Sequence, residues 1–248
     1  MTATAIIRLL VALVCLLAIT VAVLAGAKVP RQWAPIAAIG RGLLQLALVA
    51  LVLRGVITQL YWVAVALLVM FTVAAVTSTR RLGFNWRRLF QVALAMVAGV
   101  VVALGVVFLT GAIEFSARYL LAMGGIIIGN SMTIATLAGR RLVIGMNERW
   151  DQVEGWLSLG ATPRQSTALI AREAAGEALL PSIDQTRTTG LVTLPGSFVG
   201  AIFGGASPLD AGRFQILVLA SVLAAGAITA VILLHWLSPV RVKPGILK

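Results

Sequence analysis

The chain has 248 residues, of which 60% are hydrophobic and 11% charged, and its mean hydropathy is +1.02. A soluble domain is nearer 45–50% apolar, so this composition excludes an ordinary soluble fold and points to a polytopic membrane protein. The net charge of +12 is scattered over the segments between apolar runs and forms no basic stripe with interleaved aromatics, which argues for positive-inside topology and against nucleic acid.

A membrane span needs about 20 apolar residues at 1.5 Å each. The first such run covers residues 6–25. Arg8, just before the uninterrupted apolar run 9–25, and Ala25-Gly26-Ala27 at its end match a signal-peptide outline. Lys28 and Arg31 follow at once and favour a retained span with that end in the cytoplasm. Lys28-Val29-Pro30-Arg31 breaks the run. The second span is 36–53, with Arg41 and Gln45 inside it and Arg54-Gly55 ending it. The third is 60–77 and carries no charge. Residues 78–88 then place Arg80, Arg81, Arg87 and Arg88 around Phe84 and Trp86, a basic aromatic elbow suited to the membrane interface. The fourth span is 89–110, the turn 111–117 holds Glu114, and the fifth span is 118–138. A polar interval occupies about 139–182. The sixth span is 183–203 and the seventh 211–237. The expected fold is all-α: one polytopic domain over 1–248 with about seven transmembrane helices and a cytoplasmic helix–turn–helix.

Seven spans put the two ends on opposite sides. With the N-terminus outside, the inner segments hold 14 of the 20 basic residues: Lys28, Arg31, Arg80, Arg81, Arg87, Arg88, Arg140, Arg141, Arg149, Arg164, Arg172, Arg241, Lys243 and Lys248. The outer segments hold four, Arg8, Arg54, Arg118 and Arg213. Arg41 and Arg187 remain within spans, near the inner ends, where long side chains can snorkel. The bias favours N-terminus outside and C-terminus in the cytoplasm, in a plasma membrane.

The polar interval divides in two. Residues 140–159 are compatible with a helix, and Gly160 stops it. Thr162 is a candidate N-cap, and Pro163 suits the first turn of a second helix. A short stiff turn between two helices can fit a groove on a partner. Glu154, Gly160 and Ile170 stand at the spacing E-x5-G-x9-I. This resembles the cytoplasmic "EAA" coupling loop of ABC-transporter permeases, with Leu159-Gly160-Ala161-Thr162-Pro163-Arg164-Gln165 as its core. Gly155 and Trp156 replace the two alanines, and Arg172-Glu173 stands where that family often has Leu-Pro.

Four further strings extend the resemblance over nearly the whole chain, to the FetB-like iron-export permease family. They are Gly129-Asn130-Ser131-Met132-Thr133, Pro181-Ser182-Ile183-Asp184, Gly190-Leu191-Val192-Thr193-Leu194-Pro195-Gly196 and Pro208-Leu209-Asp210-Ala211. The resemblance implies a permease subunit that works as a homodimer with a separate ATP-binding subunit and exports a metal ion, iron in the best-known members. Plant relatives are linked to aluminium tolerance. It implies that Glu154, Leu159, Gly160, Ala161, Thr162, Pro163 and Arg164 couple the chain to the ATPase. The chain has no G-x-x-x-x-G-K-[ST] loop, so ATP is expected to be hydrolysed in the partner; no cofactor is expected in this chain.

The sixth span is the least lipid-like. It opens on Asp184, Gln185, Thr186, Arg187, Thr188 and Thr189. Gly196, Gly200 and Gly204 recur every four residues, and Pro195 allows a kink. A bare glycine face lets helices approach closely, and Gly125 and Gly129 make a second such face on the fifth span. Asn130, Ser131, Thr133, Asp184, Thr188 and Thr189 are candidate oxygen ligands along a translocation path, since hard cations prefer such groups. Packing between helices is the competing reading of the same residues. Met123, Met132 and Met146 form no ligand cluster, and Met commonly fills gaps. A secondary, ion-coupled carrier is the alternative function, but the sequence shows no internal repeat and places only Asp184 near a span. A single histidine, His235, and a single cysteine, Cys15, argue against a metal cluster of His or Cys, a disulfide and a membrane enzyme.

Overall fold

The computed structural model describes residues 3–56 and 59–245; Lys248, counted above with the inner charges, lies outside them. The described residues fold into nine helices and no strand, with one isolated bridge between Thr189 and Thr193. They divide into two compact units, residues 1–57 and 58–248.

The first unit holds α1 (Ala3–Gly26) and α2 (Ala34–Val56). The turn between them has Lys28 and Arg31 at φ of 53° and 65°. Both helices are apolar along their length, and α1 buries none of its most apolar window within the chain. Helix α2 runs on past Arg54-Gly55, the expected end of the second span.

The second unit holds α3 (Leu60–Arg81), α4 (Trp86–Leu109), α5 (Ala117–Glu148), α6 (Trp150–Ser158), α7 (Pro163–Thr188), α8 (Gly196–Phe203) and α9 (Pro208–Leu237). Helices α5 and α9 form its centre, each packed on the other and on α4 and α7. One apolar cluster fills the space between α3, α4, α5 and α9, with Met96, Met123 and Ile127 fully buried. A second joins α5, α6, α7 and α9 around Leu142, Met146, Val153 and Ile170. Large apolar residues such as Leu68, Phe90 and Val101 point outward instead, as lipid contact requires and water would not allow over so wide a surface.

Several ends are set by local chemistry. The 78–88 elbow is tighter than its composition predicts, because α3 continues to Arg81 and α4 starts at Trp86. The Asn85 side chain accepts from the backbone N–H of Arg87, and Arg88 donates to the carbonyls of Leu82 and Gly83. Phe84 and Trp86 meet edge to face with centroids 5.6 Å apart. Helix α5 is 32 residues long, about 48 Å. That exceeds a hydrocarbon core of about 30 Å, so an upright α5 has turns to spare beyond it.

Among the described residues five helices are long and apolar enough to cross a membrane: α1, α3, α4, α5 and α9. The expected continuous sixth span over 183–203 is not formed. Helix α7 runs straight through Pro181 and ends at Thr188; residues 189–195 are a folded break, and α8 has only eight residues. The reason is in the break itself. Gly190 takes φ +88°, the Thr188 carbonyl accepts from three backbone N–H groups after it, and Pro195 sits at the N-cap of α8 rather than inside a kinked helix.

Candidate functional site

Two places in the second unit gather the polar residues singled out above. The first is the turn between α6 and α7. Leu159 is the C-cap of α6 and Gly160 takes φ +87°. The Ala161 N–H bonds to the Trp156 carbonyl and the Gly160 N–H to the Leu157 carbonyl, each at 3.0 Å. This pair of bonds closes a helix on a left-handed glycine. Two residues later the next helix begins with a reciprocal cap: Thr162 accepts from the Gln165 N–H and its own N–H donates to Gln165 Oε1 at 2.8 Å. Pro163 fills the first helical position, where its missing N–H costs nothing. The turn is therefore held by its own bonds.

The hairpin is anchored from behind and bare in front. Ile170, the third residue of the motif, is buried against Gly145 and Met146 of α5. Thr167 donates to the Ser238 carbonyl at 2.9 Å, and Arg164 donates to the His235 carbonyl at 3.4 Å. Leu159, by contrast, is 82% exposed and Trp156 59%. Glu154 is exposed, and its carbonyl accepts from Ser158.

Charge pairs brace the same region. Arg149, between α5 and α6, donates to Glu173 of α7, and Arg141 pairs with Glu177 at 3.1 Å. The hydrogen bond from Arg149 is the chief cause holding the Glu173 carboxyl below the usual carboxylate range; slight desolvation opposes it and the Arg149 charge adds to it. Arg149 is raised in turn, chiefly by the same bond. A depressed carboxyl stabilises the fold above its unfolded pKa of about 4.3 and loses that contribution as pH falls through the lower folded value. Wild type is expected to melt slightly above Glu173→Gln at pH 6, with the two converging in acid as the Glu173 carboxyl becomes protonated. A gap that persists in acid would show that the pair is not its source. Both groups are partly exposed, so the effect is small.

The second place is a cavity of about 210 Å³ between α5, α7, α8 and α9. Its polar lining is Asn130, Ser182, Gln185, Thr186, Ser197 and Gln215; Ile126, Val218, Leu219 and Val222 supply apolar walls. Of the six candidate path residues, Asn130 alone lines it. Ser131 is 1% exposed, and its hydroxyl has no partner among the described residues. Thr133 is exposed and bonds back to the Gly129 carbonyl. Asp184 is exposed in the body of α7, 3.8 Å from Arg187, so it caps no helix. Thr188 and Thr189 bond back to carbonyls of α7 just before the break. Sequence reasoning missed Ser197 and Gln215; Gln215 is a lone amide in the apolar run of α9, 5% exposed, and that burial cost is the signal that could have found it.

The glycines divide differently from their spacing. Among the described residues a Cβ on Gly129, Gly196 or Gly200 would meet nothing within 4 Å, and one on Gly125 would touch only the tip of Met70. Gly204 is the C-cap of α8. Among the described residues the close approaches are at Gly99, Gly124, Gly139, Gly145 and Gly226.

A model of the family described as "Uncharacterised protein family (UPF0014)" matches residues 7–240. The UPF0014 membrane protein STAR2 of Oryza sativa subsp. japonica is 35% identical over 197 residues, covering 79% of this chain and 69% of its own length. The probable iron export permease protein FetB of Escherichia coli is 32% identical over 196 residues, 78% of this chain and 76% of its own. The UPF0014 membrane protein YjkA of Bacillus subtilis is 36% identical over 176 residues, 69% of each chain. No solved structure matches.

Proposed function

The chain belongs to the UPF0014 family of membrane proteins, and we propose that it is the permease subunit of an ABC transporter that exports metal ions, iron among them, across the plasma membrane. The observation that carries this is the α6–α7 hairpin. A self-bonded turn, fixed on one side to α5 and α9, offers Leu159 and Trp156 to whatever lies beyond it. Exposed apolar side chains on a rigid hairpin at the end of a helix that outreaches the membrane fit a soluble partner better than water. The partner is an ATP-binding subunit, contacted through Glu154, Leu159, Gly160, Ala161, Thr162, Pro163 and Arg164.

The permease works as a homodimer. Helix α7 buries one stripe, Ser166, Ile170, Ala174, Ala178 and Ser182, and leaves the opposite face exposed with Asp184 and Arg187 on it. Those charges lie on the same stretch of α7 as cavity residues Ser182, Gln185 and Thr186, which face α5 around Asn130. Asn130 is 13 positions into α5, about 20 Å along it and within a core of about 30 Å. Charges at that depth are costly against lipid, so a second α7, or the water path between two, covers them. Thr188, Thr189 and the bare Gly196 and Gly200 belong to that same junction. With α7, the break and α8 together taken as the sixth crossing, the positive-inside bias favours an outer N-terminus and a cytoplasmic hairpin.

The test is co-purification of the full chain with a candidate ATP-binding subunit, followed by hydrolysis assays with iron present and absent. The expected result is a complex whose hydrolysis rises with the metal. If no such subunit binds while membrane vesicles still move metal on an ion gradient, the secondary-carrier reading takes its place.

A further inference from the structure

We propose that the cavity between α5, α7, α8 and α9 binds the cargo as a hydrated cation, recognised through its water shell and not by direct ligation. This deepens the permease reading and rests on it. The site is a built one: Ser182 and Gln215 are 8% and 5% exposed and both line it.

The available atoms decide the class of ligand. Asn130 donates Nδ2 to the Ile126 carbonyl at 2.9 Å, which leaves its Oδ1 as an acceptor. Thr186 donates to the Ser182 carbonyl at 2.8 Å and keeps its lone pairs. Ser197 donates to Gln215 Oε1, and the Ser197 oxygen remains able to accept. A hydrated cation presents the complementary surface, a shell of O–H donors polarised by the ion. The lining holds no carboxylate, imidazole or thiolate. Among the described residues no three such groups converge anywhere. Neutral amides and hydroxyls are poor compensation for stripping a tightly held shell, and small divalent ions dehydrate reluctantly.

Size agrees with chemistry. A cavity of about 210 Å³ has room for several waters, each needing roughly 10–15 Å³ of such space, and so for an ion together with its shell. At this depth in the bilayer the shell has no bulk water to bond, so the walls must supply the acceptors.

The probes are Mn(II), read by its electron paramagnetic resonance, and hexaamminecobalt(III), whose six ammines do not exchange and which can be recognised only from outside its shell. Both are titrated against the full-length chain in lipid nanodiscs. Hexaamminecobalt(III) is expected to displace Mn(II), with Gln215→Leu weakening both by tenfold or more. Asn130→Asp adds a charge at the rim in a low-dielectric site and is expected to tighten hexaamminecobalt(III) by tenfold or more, a gain that misfolding cannot imitate. Mn(II) binding that hexaamminecobalt(III) cannot displace would mean direct ligation and overturn the inference. So would failure of both ions to bind, or Asn130→Asp without effect. Displacement in a chain that recruits no ATP-binding subunit would instead sink the permease reading and leave the site standing.

Discussion

Gly160→Arg is expected to abolish co-purification with the ATP-binding subunit while leaving the chain's own fold in place. Gly160 holds φ +87°, a conformation that costs other residues about 1–3 kcal/mol. The cost falls on the two bonds that close α6, Gly160 to Leu157 and Ala161 to Trp156. Among the described residues nothing lies within 4 Å of a Cβ there, so an arginine side chain can leave the backbone at this position without an immediate clash. It projects beside Leu159, into the space a docked partner would occupy. The two effects can be separated. Gly160→Ala carries the backbone strain without the bulk and should weaken the complex without removing it. Gly155→Ala is the control: it sits in α6 at ordinary helical φ with open space around it, restores an alanine of the resembled motif, and should be neutral or stabilising by up to about 1 kcal/mol. If Gly160→Arg binds the ATPase subunit and hydrolyses at the wild-type rate, the turn is not the coupling element.

Gly99→Val should have the largest effect on stability, on the order of 3 kcal/mol, at the upper end of ordinary overpacking costs. A Cβ on Gly99 would lie 2.4 Å from the Ala225 carbonyl oxygen and 2.7 Å from Thr229 Oγ1. The first contact is backbone, so it cannot be relieved by turning a side chain; α4 and α9 must separate. Separation also breaks the 3.3 Å bond from Thr229 to the Ala95 carbonyl and opens the cluster around Met96, Val100 and Val222. Gly99→Ala should already lower the melting temperature in detergent. Gly200→Ala, which meets open space, should not. Equal melting of Gly99→Ala and wild type would mean that the two helices do not approach this closely.

The α6–α7 turn was readable from residue types alone, because its bonds are local. Gly160, Thr162, Pro163 and Gln165 lie within six positions, and each acts on its neighbours in the chain. The break in the sixth run was readable in principle from Gly190 and Pro195, but the apolar stretch between them outweighed both in the hydropathy reading. Pro181 does not end α7, which passes through it at the loss of one backbone bond while its buried stripe continues to Ser182. Glycine spacing was a poor guide. Gly196 and Gly200 have the spacing of a packing face and meet nothing among the described residues, whereas Gly99 and Gly226, outside that glycine row, sit against Ala225 and Ile134.

The sequence by itself determined membrane residence, the all-helical class, the ends of most helices and the stiff turn between α6 and α7. Those follow from transfer of apolar side chains out of water and from hydrogen bonds that span a few residues. Only the tertiary structure decided which polar groups share a cavity. Asn130, Ser182, Gln185, Thr186, Ser197 and Gln215 come from four helices and up to 85 positions apart, and periodicity along one helix carries no information about what a neighbouring helix presents at the same height.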